Sequence, residues 1–75
     1  MSRRNLLIVD DNAVATEALC QLFQDVGFNT VGVLSGEEAM ARFNNEAFDV
    51  VITDLQLPGI DGLEVLKAIK ERRGD

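Results

Sequence analysis

Two short apolar runs, each leading into aspartate, constrain this chain more than any other feature. Leu6 to Val9 run directly into Asp10 and Asp11, and Val50 to Ile52 lead through Thr53 to Asp54. A continuous apolar run of this length predicts a strand buried on both faces. Between the two runs the pattern changes period. From about Ala13 to Val26, the residues Val14, Ala15, Ala18, Leu19, Leu22, Phe23 and Val26 fall on one half of a 3.6-residue wheel. Thr16, Glu17, Cys20, Gln21, Gln24 and Asp25 take the other half, so a helix with the first set facing inward is expected. Gly27 is placed to close it as a C-terminal cap.

The remaining elements follow the same alternation. Asn29 to Leu34 predicts a second strand, weakened by Gly32 and therefore suited to a sheet edge. Ser35 and Glu38 form a capping-box pattern that opens a second helix to about Asn45, with Ala39, Met40 and Phe43 as its apolar face. "FDVVITD" is the third strand. The stretch "LQLPGIDG" is a loop, with Pro58, Gly59, Asp61 and Gly62 as turn residues and Asp61 expected only to cap the third helix. That helix directs Leu63, Val65, Leu66 and Ile69 inward and Glu64, Lys67, Lys70 and Glu71 to water. Residues 1–4 and 72–75 are expected to be loose. The order β-α-β-α-β-α implies an α/β fold with a parallel sheet and right-handed crossovers. Strands one and three, the long apolar runs, are expected to be neighbours, giving strand order 2-1-3. The first helix would lie on one face, the second and third on the other.

Composition bounds the function. The chain of 75 residues is one small domain with a thin stability margin. A net charge of −6 argues against nucleic acid or an anionic membrane as direct partners. With no His and one Cys, a His/Cys zinc site and an internal disulfide are excluded. The apolar run after "SRR" is too short for a signal peptide, and nothing reaches membrane-spanning length. A cytoplasmic protein is the expectation.

In open parallel α/β sheets, ligands sit beyond the carboxyl ends of the strands. Asp10, Asp11 and Asp54 all lie at such ends. Three carboxylates converging there repel one another unless a hard divalent cation joins them. Magnesium suits such a set, because it takes one or two carboxylates, keeps waters and leaves room for phosphate oxygens. The plainer alternative for one of these acids is a helix N-cap. Two adjacent acids plus a third at an equivalent strand end favour the metal pocket. In that pocket Asp54 could act as a nucleophile and form an aspartyl-phosphate.

At these residues the chain resembles the receiver domain of bacterial two-component response regulators. "IVDDN" resembles that family's first strand with its acidic pair, and "DLQLPGIDG" its phospho-acceptor loop, with Leu57 and Ile60 standing where Met is common. "SGEEAM" and "FDVVITD" are also similar, so the resemblance covers nearly the whole chain. It implies a flavodoxin-like fold, phosphorylation of Asp54, and magnesium held by Asp10, Asp11, Asp54 and the backbone carbonyl of Gln56. It places Asn12 beside the pocket, where the family's side chain tunes phosphoryl chemistry. The implied partner is a histidine kinase or a histidine phosphotransfer protein, and the chain would be an acceptor rather than an enzyme.

A full receiver has five strand-helix units, and residues 1–75 correspond to three. No residue here stands for the family's Ser/Thr after strand four or its Lys after strand five. Thr53 is expected to point away from the pocket by strand alternation, and Lys67 and Lys70 lie on a solvated face. An aspartate-nucleophile hydrolase would carry a second Asp where Gln56 stands, and a dinucleotide-binding unit would need a glycine-rich first loop. The alternative from another class is a non-signalling half-domain that self-associates. Its third strand, residues 50–54, would pair with a second copy as a homodimer of strand order 2-1-3-3′-1′-2′.

Overall fold

In a computed structural model, which describes residues 3–54 and 62–73, the chain forms β1 (Asn5–Val9), α1 (Ala13–Val26), β2 (Asn29–Val33), α2 (Gly36–Asn45), β3 (Val50–Thr53) and α3 (Gly62–Arg73). The sheet has the expected order β2-β1-β3, and both pairings are parallel. The architecture is α/β, a parallel sheet flanked by helices, as the alternation of periods predicts. Central β1 carries the most apolar run for a physical reason. It is the strand covered on both faces and both edges, and Leu6, Leu7, Ile8 and Val9 are all essentially inaccessible. Burying each such side chain contributes about 1.5–3 kcal/mol.

Strand register sorts the side chains by face. Leu7, Val9 and Val33 point to one side, where Ala39 and Phe48 complete a buried cluster and Val31, Met40, Phe43 and Val51 pack against it. That is the α2 side, and the expected apolar face of α2 is the one observed. Ser35 opens α2, accepting a hydrogen bond from the Glu38 N–H at 3.1 Å. Leu6 pairs with Thr30 and Ile8 with Gly32, and this second face lies under α1.

The C-terminus of α1 ends as the lone Gly27 predicts. Gly27 adopts φ 116°. Its N–H donates to Gln24 C=O at 3.0 Å, and Phe28 N–H donates to Phe23 C=O at 3.0 Å. These are the two bonds of a Schellman cap. The Phe23 and Phe28 rings close the motif edge to face, 5.8 Å apart.

At the opposite end of the sheet from the strand-end acids, Asn5 ties the strands together. Its N–H donates to Asp49 Oδ2 at 2.8 Å, and its Nδ2 donates to Ala47 C=O at 3.2 Å. Asn29 Nδ2 donates to Asn5 Oδ1 at 3.3 Å.

The inward face of α1 departs from the wheel. Val14, Leu22 and Val26 are 78%, 56% and 68% exposed, whereas Thr16, assigned to the polar half, is buried. Ala15, Leu19 and Phe23 are half-buried as expected, and Cys20 joins them. The cause is close approach at β2. A Cβ on Gly32 would lie 2.6 Å from Thr16 Cγ2 and 2.8 Å from Cys20 Sγ, so the helix rests its small residues on the glycine. The helix is thereby rotated toward Thr16 and Cys20, and the far flank of its apolar half faces outward. In α3, Leu63 and Leu66 are likewise exposed rather than inward, while Lys67, Lys70, Glu64 and Glu71 face water as expected. The inward positions assigned to Val65 and Ile69 concern side chains outside the described ones. Boundaries also shift: β2 stops at Val33, leaving Leu34 exposed, β3 spans Val50–Thr53 rather than the whole of "FDVVITD", and α3 continues through Arg73.

Candidate metal and phospho-acceptor site

Asp10 is the first residue beyond β1 and Asp54 the first beyond β3. Because Val9 pairs with Thr53, the two acids follow adjacent partners in a parallel ladder and leave the sheet side by side. The ladder reaches the acids themselves. Asp54 N–H donates to Val9 C=O at 2.9 Å, and Asp10 N–H donates to Val33 C=O at 3.1 Å. Each carboxylate thus stands on a hydrogen-bonded strand end.

Asn12, not an acid, caps α1. Its Oδ1 accepts from Ala15 N–H at 3.0 Å. The capping alternative for Asp10 and Asp11 is therefore taken up by their neighbour. Asp10 Oδ1 accepts from Asn12 N–H at 3.0 Å, which folds the turn back on itself and leaves Asp11 at its apex.

Carboxylate oxygens of Asp10, Asp11 and Asp54 all lie within 4.8 Å of one another. Asp10 is half-buried, and the other two are exposed. Two negative charges at this spacing repel by roughly 1 kcal/mol in water. That is small enough for exposed acids to coexist, and a divalent cation reverses its sign. The donor set fits magnesium on its chemistry: hard oxygens only, few in number, open to water. Elsewhere among the described residues, an ion pair joins Arg42 of α2 to Glu46 just past its C-terminus at 3.0 Å.

Of the residues singled out from sequence, Asp10, Asp11 and Asp54 are brought together and Asn12 lies beside them as a cap. Gln56, Leu57, Pro58, Gly59, Ile60 and Asp61 lie outside the described residues. One residue at the site was missed. Thr16 sits under the acidic turn, its hydroxyl 2.9 Å from Asp10 C=O. Its sole sequence signal was a threonine placed four residues after a helix cap, where its hydroxyl can reach back to a carbonyl.

Comparison with known proteins adds to this geometry. A family profile described as the response regulator receiver domain matches residues 6–75. The virulence sensor protein BvgS of Bordetella bronchiseptica is 42% identical over 65 residues, which make up 87% of this chain and 5% of that protein. A CheY-like receiver domain protein from Methanospirillum hungatei superposes with a TM-score of 0.93 at 27% identity, over 97% of this chain and 58% of that one. The response regulator TrrA of Thermotoga maritima, solved in complex with Mg2+-BeF, superposes with a TM-score of 0.89 at 35% identity, over 95% of this chain and 62% of that one. The chain thus spans about 60% of these solved structures and a small part of the sensor protein.

Proposed function

Because this chain belongs to the response regulator receiver domain family, a module of two-component signalling, we propose that it accepts a phosphoryl group on Asp54 in a magnesium-dependent reaction. The observation that carries the reading is the convergence of three strand-end carboxylates within 4.8 Å. Asp10 and Asp11 would hold Mg2+ with Asp54 and the backbone carbonyl of Gln56. Bound magnesium would supply charge neutralisation for the incoming phosphoryl oxygens. A carboxylate oxygen of Asp54 would form the new bond to phosphorus as the P–N bond of a phosphohistidine breaks, and the departing imidazole would take up a proton. The donor would be a histidine kinase or a histidine phosphotransfer protein. The sensor-protein relative and the Mg2+-BeF complex of TrrA support this reading.

Residues 1–75 would correspond to three of the five strand-helix units of the family. A small phosphodonor should label the chain only with magnesium, and not after Asp54→Asn. Intact-mass analysis reads the added phosphoryl group. Labelling that persists in Asp54→Asn, or without magnesium, would overturn the proposal. A cytoplasmic location, without nucleic-acid or membrane contact by this segment, accords with the acidic charge. Among the described residues no helix is long and apolar enough to cross a membrane.

A second reading has its own observation. β3 is an edge of the sheet among the described residues, and Val50, Val51, Ile52 and Thr53 are only partly buried. Unpaired backbone groups beside half-covered apolar side chains favour pairing with another strand. Self-association through residues 50–54 would make the chain a homodimer, and labelling of Asp54 separates this from the signalling reading.

A further inference from the structure

Thr16 is 6% exposed, although it lies on the polar half of the helical wheel. Its hydroxyl is 3.0 Å from Asn12 C=O and 2.9 Å from Asp10 C=O. The first contact is the ordinary reach of a helical threonine to the carbonyl four residues back. The second leaves the helix and meets the end of β1. These two carbonyls belong to the residues on either side of Asp11, and a hydroxyl has one proton to share between them. One donor thus gathers both flanks of the exposed acid at the apex of the turn. The methyl group of the same side chain is held against Gly32, where an added Cβ would lie 2.6 Å from it. The methyl contact and the hydroxyl contacts are thus made by separate arms of one side chain.

We propose that Thr16 is a positioning residue for cation binding, its hydroxyl holding the Asp10–Asn12 turn so that the Asp11 carboxylate meets those of Asp10 and Asp54. This rests on the magnesium reading above and deepens it. Without the hydroxyl, the turn must be ordered at the moment of binding, and that ordering is taken from the affinity for the ion. Loss of an outer partner of this kind typically weakens metal binding about 10–100-fold.

The experiment is a Mg2+ titration of the full chain, read from the amide shifts of residues 10–12 and 54. Metal-free thermal unfolding is measured on the same samples. Thr16→Val keeps the shape and the methyl contact but removes the donor. Thr16→Ser keeps the donor but removes the methyl. Both should melt lower than wild type. Thr16→Val should bind magnesium at least about tenfold more weakly, and Thr16→Ser should bind as wild type does. A merely structural threonine would make affinity follow stability, so the two variants would weaken together. Wild-type affinity in Thr16→Val, or equal weakening in both, overturns the proposal. Should Thr16→Val fail to fold, Thr16→Ser decides: unchanged affinity at a lower melting temperature supports it, and weakened affinity sinks it. If wild type and Asp11→Asn alike show no shifts at these residues, the magnesium reading itself fails and the role of Thr16 falls with it.

Discussion

Gly27 and Gly32 differ in what a side chain would meet. At Gly27 a Cβ would find open space, but φ is 116°, where L-residues are strained. At Gly32 the backbone is ordinary strand, but a Cβ would press on Thr16 and Cys20 at 2.6 and 2.8 Å. Gly27→Ala should cost about 1–2 kcal/mol through backbone strain alone. Gly27→Asn should recover part of that, because Asn tolerates the left-handed region. Gly32→Ala should cost about 1–3 kcal/mol through overpacking, and Gly32→Asn more, since any larger side chain adds to the clash. Urea unfolding of the four variants checks the pairing. A Gly32→Asn variant more stable than Gly32→Ala would mean that α1 does not rest on β2 as described.

At the scale of elements, α1 is the informative case. Because it rests Thr16 and Cys20 on Gly32, the far flank of its apolar half is exposed among the described residues. Leu22 is 56% exposed. Leu22→Gln should therefore change stability by no more than about 0.5 kcal/mol, as exposed substitutions do. If the wheel alone governed packing, the same change would remove a core leucine and cost about 2–5 kcal/mol. Denaturant midpoints at unchanged slope distinguish these outcomes. β1 and α2 show the opposite behaviour. The apolar run of β1 and Ala39 of α2 are buried, Met40 and Phe43 pack partly buried against the same cluster, and pattern and packing agree.

For the molecule as a whole, the open question of partnership is set by β3. If its edge pairs with a second copy, folding and association are linked, and the melting temperature should rise with protein concentration. Sedimentation should then show dimer at micromolar concentration. A folded monomer with one melting temperature across a wide dilution series would refute the homodimer. Val51 is a poor site for probing this edge by mutation, because its side chain packs against the inner cluster and any charge there would unfold monomer and dimer alike.

The alternation of periods determined the element order, the parallel sheet and its 2-1-3 arrangement. A strand covered on both faces needs a continuous apolar run, and of the three strands only β1 (Leu6 to Val9) and β3 (Val50 to Ile52) carry one. Local chemistry likewise marked Gly27 and Ser35, since helix ends satisfy their backbone groups within a few residues. It also marked Asp10, Asp11 and Asp54 as strand-end acids. Tertiary structure alone decided how α1 sits: the approach of Thr16 and Cys20 to Gly32 joins residues that no local pattern connects. The same rotation carries the Thr16 hydroxyl beneath the acidic turn. Hydrophobic pattern reports which residues can be buried, but which of them are depends on where the neighbouring element has room.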